Sequence, residues 1–307
     1  MHLQARSLSG WAAAASALAL TMTGTGTAAA GATAAAAGAP RPGSAVVRPV
    51  GRPAQQAAVR FWTPARMAAA TPLSAAPAAG PPAGQPPGTP SPTHFAGVPT
   101  VGALFFTTGT KQHFCTASVM ISKPENLILT AAHCVYGSSY ATKIAFVPKY
   151  HSGKRPYGVW PVRKITVAAG WRSSHNQNLD FAFLAVAPPA GTHRPVQRVT
   201  GGLRLGINLG YSHRITVIGY NNTDDTPIRC ATSSFKHAPH QMKFRCHNFQ
   251  NGTSGGPWIL GYHGRTGTGT VFGVIGGYQQ GGNFPWASYS AYFSGPASRL
   301  FRQAQGQ

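Results

Sequence analysis

Residues 252–257 read Gly-Thr-Ser-Gly-Gly-Pro, and the interpretation of the whole chain begins with them. Glycines on both sides of a serine allow backbone angles that other residues avoid, and they let a second chain approach closely. Glycine-rich turns that end in proline are common, so this stretch alone favours a reactive Ser254 only weakly. It also fits the G-x-S-x-G turn of α/β-hydrolases, in which an acid and then a histidine follow the serine. No Asp or Glu follows Ser254 and His263 is the only later histidine, so that fold is excluded.

A serine hydroxyl is a weak nucleophile until a base takes its proton, so a histidine is expected upstream. Of twelve histidines, His133 stands near the end of the run Leu-Thr-Ala-Ala-His-Cys at 129–134. The run predicts that His133 lies at the end of a buried strand, where it could serve as the base. A buried histidine bonded only to backbone is the alternative, and this segment by itself leaves it open.

The scarcity of acidic residues narrows the choice of a partner for this histidine. Of the four acids, Asp224 and Asp225 lie in a polar turn, and Glu125 follows Lys-Pro in another turn. Asp180 alone opens an apolar run, at 180–186. A carboxylate at the mouth of a buried strand is costly unless it is paired. We therefore expect Asp180 to pair with His133 and to hold its imidazole in one tautomer.

Composition divides the chain near residue 97. Residues 1–30 have a basic start, a short apolar stretch and small residues, which is the layout of a secretory signal peptide and predicts export. Residues 31–96 are rich in Ala, Pro and Gly, so we expect a disordered propeptide or linker there. Residues 97–307, about 210 in all, are enough for one large β domain or two small barrels.

Short runs rich in Val, Ile, Phe, Tyr and Thr recur beyond residue 97, divided by Gly, Pro, Asn and Ser. Twelve such runs are predicted as strands: 101–106, 113–121, 126–130, 143–147, 159–167, 181–186, 215–220, 228–235, 241–247, 257–260, 270–278 and 287–292. Only the tail at 296–305 has a helical pattern. Strands without intervening helices predict an all-β sandwich or a pair of barrels.

Four cysteines, all beyond residue 97, suggest disulfides in an exported chain. Four cysteines allow three pairings, of which the local one joins Cys115 to Cys134 and Cys230 to Cys246. No pair has the C-x-x-C spacing of a zinc site, so we expect neither a metal nor another cofactor.

The chain carries 26 Lys and Arg against four acids. Such a surface would adsorb loosely to anionic polymers, including cell-wall polymers. The basic residues are scattered rather than interleaved with aromatic residues, which speaks against specific nucleic-acid recognition. No segment is long and apolar enough for a membrane span once the signal peptide is removed.

Three motifs in the order His, Asp, Ser resemble those of the chymotrypsin/trypsin superfamily, particularly its bacterial secreted branch. They are Thr-Ala-Ala-His-Cys at 130–134, Asn-Leu-Asp-Phe-Ala at 178–182 and Gly-Thr-Ser-Gly-Gly-Pro at 252–257. The run Phe-Cys-Thr-Ala-Ser at 114–118 also resembles the strand whose cysteine bridges to the one after the catalytic histidine.

The resemblance implies two six-stranded antiparallel β-barrels with a cleft between them and a short C-terminal helix. It implies that Ser254 attacks the peptide carbonyl, His133 transfers the proton and Asp180 orients His133, while the N–H groups of Gly252 and Ser254 form the oxyanion hole. Further residues are implied to bind substrate: Asn248, Phe249, Asn251, Gly276, Gly277 and Tyr278.

The chain departs from the family's pattern at four positions. Thr253 replaces the aspartate that captures a new N-terminus in the trypsin branch, so activation of that type is not expected. Asn248 replaces the acid of trypsin-like pockets, and Ile275 stands where glutamate-specific relatives have a histidine. Gly276 replaces a serine that often supports the catalytic aspartate.

The sequence thus predicts a secreted, extracellular serine endopeptidase that acts on polypeptides. Two alternatives stay open: a catalytically silent relative that binds anionic polymers, and an esterase that uses the same three residues.

Overall fold

The runs of β-branched and aromatic residues beyond residue 97 form strands in the computed structural model, which describes residues 41, 43–73, 84–221 and 224–306. All twelve predicted strands are present, with ends that differ by a few residues. The signal peptide predicted at 1–30 lies outside the described residues. Within the described ranges, no helix is both long and apolar enough to cross a membrane.

The N-terminal region is more ordered than its composition predicts. Its elements are β1 (Ala45–Pro49), α1 (Arg52–Phe61), α2 (Pro64–Ala68), β2 (Thr71–Pro72) and β3 (Thr93–His94). The expectation of a disordered segment over 31–96 is therefore wrong for residues 45–72 and 93–94. The physical reason is that a few large apolar side chains, Trp62 and Met67 among them, are buried against the following domain.

Six strands form a closed barrel, which we call the first barrel. They are β4 (Val101–Thr108), β5 (Lys111–Val119), β6 (Leu127–Thr130), β7 (Thr142–Pro148), β8 (Trp160–Ala168) and β9 (Ala182–Val186). Their order is β8-β7-β4-β5-β6-β9, and pairing of β8 with β9 closes the ring. Outside it, β1 pairs with β8 and β2 with β5.

Six further strands form the second sheet. They are β11 (Arg214–Tyr220), β12 (Pro227–Ala238), β13 (Gln241–Arg245), β14 (Pro257–His263), β15 (Thr268–Val274) and β16 (Ala287–Ala291), with β10 (Arg204–Leu205) added beside β15. Their order is β15-β14-β11-β12-β13-β16. No ladder joins β15 to β16 among the described residues, but hydrogen bonds from Val274 N to Ser290 Oγ (3.0 Å) and from Gly276 N to Tyr289 O (3.0 Å) connect them.

Three more helices complete the chain: α3 (Ala169–Ser174), α4 (Val196–Thr200) and α5 (Gly295–Ala304). The C-terminal helix α5 lies where the sequence predicts it. Ala297, Leu300 and Ala304 share one face of this helix and are buried with the first-barrel core, because residues three and four apart lie on the same side. The same core cluster continues to Ile259 and Val271 of the second sheet.

Candidate active site

His133 and Asp180 form a buried pair. Nδ1 of His133 lies 2.8 Å from Oδ2 of Asp180, and the backbone N–H of His133 donates to Oδ1 of the same carboxylate at 2.9 Å. Asp180 is fully buried and His133 is 7% exposed. An Nδ1–H bonded to a carboxylate leaves Nε2 as the unprotonated nitrogen, which is the form that accepts a proton.

The pairing of β6 with β9 explains why these two residues meet. Thr130, the last residue of β6, pairs with Ala182 at the start of β9. His133 follows the end of β6, and Asp180 precedes β9 after a 3₁₀ turn at Gln177–Leu179. The disulfide from Cys115 on β5 to Cys134 fixes the segment that carries His133. The end of β6 and the start of β9, and with them His133 and Asp180, are thus held at the same rim of the first barrel.

A third donor reaches Asp180 from the second sheet. The N–H of Gly277 donates to Oδ2 of Asp180 at 2.9 Å. At the neighbouring Gly276, a Cβ atom would lie only 3.1 Å from that oxygen. The family resemblance leads us to expect a supporting serine at position 276, and in this chain the donor to Asp180 is the backbone N–H of the next residue. Three hydrogen bonds thus hold this buried carboxylate in one orientation.

The backbone of Ser254 is held between the first barrel and the second sheet. Its carbonyl accepts a hydrogen bond from Thr116 N on β5 at 2.7 Å, and Gly255 N donates to Ile275 O at 2.7 Å. Gly255 has a φ of 80°, and a Cβ there would overlap Thr116 O and Thr130 Oγ1. These contacts bring the serine beside the end of β6, three residues before His133.

Gly252 and Thr253 occupy the bend before Ser254. Gly252 has a φ of 94°, and a Cβ there would overlap the ring of Phe114. Thr253 is 1% exposed, and its hydroxyl donates to Gln250 O at 2.6 Å. Where the trypsin branch has a buried ion pair, this chain has a short hydrogen bond within the loop.

The residues expected to shape a specificity pocket lie in different environments. Asn248 is exposed with a φ of 56°, and its N–H donates to Pro285 O at 2.7 Å. Phe249 is only 5% exposed, and its ring packs edge-on against Phe244 in the core of the second sheet. Asn251 is partly buried just before Gly252. Ile275 is buried in the same core as Phe249.

The N–H groups of the three residues expected to pair with a substrate backbone all have partners within the chain. Gly276 N donates to Tyr289 O, Gly277 N to Asp180 Oδ2, and Tyr278 N to Gln241 Oε1 at 2.9 Å. Each of these N–H groups could therefore donate to a substrate carbonyl only if its present hydrogen bond opened.

Gln241 is a residue that the sequence reasoning missed. It is 5% exposed, and its Nε2 donates to Gln177 O at 3.0 Å and to Asn178 Oδ1 at 2.8 Å. Its side chain thus joins the turn before Asp180 to the backbone of Tyr278. A lone glutamine at the start of a strand carries no sequence signal for this role.

Two further rings, those of His237 and Tyr289, lie beside the ring of Tyr278. The ring of His237 lies 4.8 Å from Tyr278 and 4.7 Å from Tyr289, and the two tyrosine rings are 5.0 Å apart. Burial, followed by repulsion from Lys243, lowers the pKa of His237. A neutral imidazole is therefore favoured next to these rings.

One group of possible metal ligands occurs in the described part of the chain: the side-chain atoms of Cys115, His133 and Cys134 lie within 4.8 Å of one another. Both sulfurs belong to one disulfide and cannot act as thiolate ligands. Cys230 and Cys246 form the second disulfide, so both expected pairings are confirmed.

The barrel, the second sheet and the C-terminal helix define a chymotrypsin-like fold, as predicted. Residues 88–291 match the family model described as Trypsin, which spans more than half of the 307 residues, so the chain belongs to the trypsin family. Its family and fold are those of trypsin-like serine proteases. No match is found among curated proteins.

Solved structures with the same fold include bacterial proteases. Protease Anisep from Arthrobacter nicotinovorans is 24% identical, with a TM-score of 0.62 over 70% of this chain and 99% of its own. A thermostable serine protease from an extremophilic microorganism is 24% identical, with a TM-score of 0.61 over 68% and 98%. A Glu endopeptidase is 18% identical, with a TM-score of 0.56 over 72% and 99%.

Proposed function

We propose that this chain is a secreted serine endopeptidase in which Ser254 is the nucleophile, His133 the general base and acid, and Asp180 the residue that orients His133. The observation that carries the proposal is the hydrogen-bonded, buried pair of His133 and Asp180 beside the Ser254 bend in a trypsin-family fold. A purely structural ion pair would not need a glycine-flanked serine in the loop that packs against the end of β6.

The proposed reaction uses these three side chains in turn. Ser254 Oγ attacks the peptide carbonyl as His133 Nε2 takes its proton, and the bond to the leaving amine breaks when His133 returns that proton. Asp180 keeps Nδ1 protonated and stabilises the imidazolium that forms. The resulting acyl-enzyme is hydrolysed by water through the same steps. The N–H groups of Gly252 and Ser254 would stabilise the oxyanion, each by about 3 kcal/mol.

The specificity pocket would favour an uncharged substrate side chain. Neither Asn248 nor Ile275 carries a charge that could pair with a lysine, arginine or glutamate side chain, and Phe249 turns its ring into the core. A peptide-library cleavage profile tests this proposal: cleavage confined to charged residues on the amino side of the scissile bond contradicts it.

The Ser254→Ala variant tests the proposed nucleophile. The wild-type protein should hydrolyse casein and bind one fluorophosphonate per chain, whereas Ser254→Ala should do neither. Loss of the serine in a hydrolase of this kind lowers kcat by about 10⁶-fold. Ser233→Ala, on β12 of the second sheet, is the matched control and should leave both readouts unchanged.

The outcomes separate the alternatives. Casein cleavage by Ser254→Ala would contradict the proposed nucleophile. A wild-type protein that neither labels nor cleaves would favour a silent relative that binds anionic polymers. Labelling without cleavage of folded or denatured protein would favour an esterase.

Secretion is proposed from the leader-like sequence at 1–30 and from the two disulfides, which persist in oxidising compartments. Expression of the full chain in a secreting host should release protein without residues 1–30, as the intact mass would show.

A further inference from the structure

Residues 43–73, which we call the N-terminal strap, precede the part of the chain that matches the family model. Its first strand, β1, pairs antiparallel with β8 from Ala45–Ala168 to Pro49–Lys164. Hydrogen bonds from Ala169 N to Ser44 O and from Val50 N to Arg163 O, both 2.8 Å, extend this pairing at each end. The strap therefore adds a strand to the rim of the first barrel.

The middle of the strap supplies core side chains. Trp62 is fully buried, its Nε1–H donates to Lys143 O at 2.5 Å, and its ring lies 5.2 Å from Phe105. Met67 and Ala70 are 2% and 5% exposed in the same cluster. Three strap residues thus cover the outer, apolar face of the first barrel.

The end of the strap reaches β5, the strand that carries Cys115 of the first disulfide. β2 pairs in parallel with His113 and Phe114 of β5, and Leu73 N donates to Phe114 O at 3.2 Å. The Phe114 ring belongs to the same cluster as Trp62, and its centre lies 6.3 Å from that of Phe105.

Phe114 and Tyr220 enclose Gly252. A Cβ at Gly252 would overlap Phe114 and would lie 2.7 Å from Tyr220 O, so both contact the glycine backbone. Tyr220 belongs to the strap's cluster as well, and its hydroxyl donates to Tyr150 O at 2.7 Å. Thr116 Oγ1 completes the support by donating to Gly252 O at 3.1 Å.

We propose that the N-terminal strap is a permanent part of the mature protein and that it positions Gly252 for the oxyanion hole through Phe114 and Tyr220. The strap replaces, from the other side of the loop, the anchoring that Thr253 cannot provide by an ion pair. The inference rests on the proposed function, because Gly252 matters only if its N–H stabilises an oxyanion.

Substitution of Trp62 tests the proposal in the full chain. Trp62→Ala should lower kcat by about tenfold per active site with KM changed less than about twofold, because the oxyanion hole acts in the transition state. Trp62→Phe should restore most of the rate. Gln56→Ala, an exposed position on α1, is the control and should match wild type. The concentration of active sites is titrated with a fluorophosphonate.

The titration separates positioning from folding. If Trp62→Ala has fewer titratable sites but an unchanged kcat per site, the strap is only structural and the positioning role is overturned. A rise in kcat/KM would show that the strap obstructs the site, which also overturns it. If Trp62→Ala does not fold, Leu73→Pro removes the N–H that binds Phe114 O, and Leu73→Ala, which also loses the leucine side chain but keeps the N–H, is the matched control.

The intact mass of the active, secreted wild-type protein completes the test. The proposal expects active enzyme that still contains residues 43–73. An active form whose N-terminus lies beyond residue 73 would overturn the claim that the mature protein keeps the strap. If a fluorophosphonate does not label the wild-type protein, the proposed function itself is contradicted. None of the results expected from the strap variants has this form, so the two failures can be told apart.

Discussion

The N-terminal strap and the serine loop, residues 248–257, both have the composition of irregular chain, yet sequence reasoning treats them differently. The serine loop is bounded by glycines and carries a motif whose residue types follow from the chemistry around it. The strap is rich in Ala, Pro and Arg and carries no such motif. In the structure both are ordered, and both contact Phe114.

This comparison shows that a few buried side chains can order a segment whose average hydrophobicity is low. Trp62 and Met67 are inserted against a barrel face that the rest of the chain has already built. The entropy that the strap loses is offset by these contacts and by ten further backbone positions paired in β1 and β8. The serine loop has one large buried side chain of its own, Phe249, and otherwise depends on glycine conformations and backbone hydrogen bonds.

The largest effect is expected from a substitution that changes the active site and leaves the packing of the protein unchanged. Asp180→Asn should lower kcat by about 10⁴-fold, because the amide favours the wrong imidazole tautomer. The thermal midpoint should change far less than the rate. Asp224→Asn, in the polar turn, is the matched control and should keep wild-type kcat; equal losses in both variants would argue against the proposed role of Asp180.

A core substitution in the strap should show the opposite pattern. Met67→Ala removes a side chain that is 2% exposed and should lower the free energy of unfolding by about 2–5 kcal/mol. Chemical denaturation of the secreted protein measures this loss. The strap would be peripheral to stability if Met67→Ala and Gln56→Ala unfolded at the same denaturant concentration.

Gln241, which joins the turn before Asp180 to Tyr278, should give an intermediate effect. Gln241→Met removes both donors to the turn before Asp180 and should lower kcat by about tenfold through misplacement of the carboxylate. Lys243→Met, on the same strand, receives the same side chain as a control. Steady-state kinetics of the two variants would show no difference if the turn were held by other contacts.

The smallest expected effect is on the pH dependence of stability, through His113, which pairs with the last strand of the strap. Burial lowers the pKa of His113, hydrogen bonds with the backbone of Thr71 and Pro72 oppose the shift, and Lys111 adds to it. Just below pH 6.5 the unfolded chain therefore binds more protons, so stability should fall as the pH drops through that range.

Thermal melts from pH 8 to pH 5 measure this effect. The loss of stability toward pH 5 should be smaller in His113→Gln than in wild type. A larger loss of stability in His113→Gln would mean that folding raises the pKa of His113 and does not lower it.

Much of the fold could be predicted because its signals are local. Runs such as 101–106 and 215–220 carry β-branched and aromatic residues that favour strands wherever they lie, and both became strands. The tail helix could be found from its spacing of apolar residues. The strap helices could not, since α1 has only ten residues and its apolar side is made mostly of alanines, of which only Ala58 is buried.

The pairing of His133 with Asp180 was predictable for a different reason. With only four acids in the chain, an aspartate next to an apolar run had to find a partner. The third donor to that carboxylate was not predictable, because every residue except proline has a backbone N–H and none marks Gly277 in the sequence.

The sequence by itself determined the all-β class and the absence of a trypsin-type ion pair at Thr253, and it favoured the histidine–aspartate pair and the local one of three cysteine pairings. Only the tertiary structure decided that Gln241 bridges two distant segments, that Gly277 supports Asp180, and that the strap closes over Phe114. Residue types and periodicity record what a segment does locally. Contacts between Leu73 and Phe114, or between Phe114 and Gly252, depend on where the folded chain brings distant backbone together, and composition does not encode that.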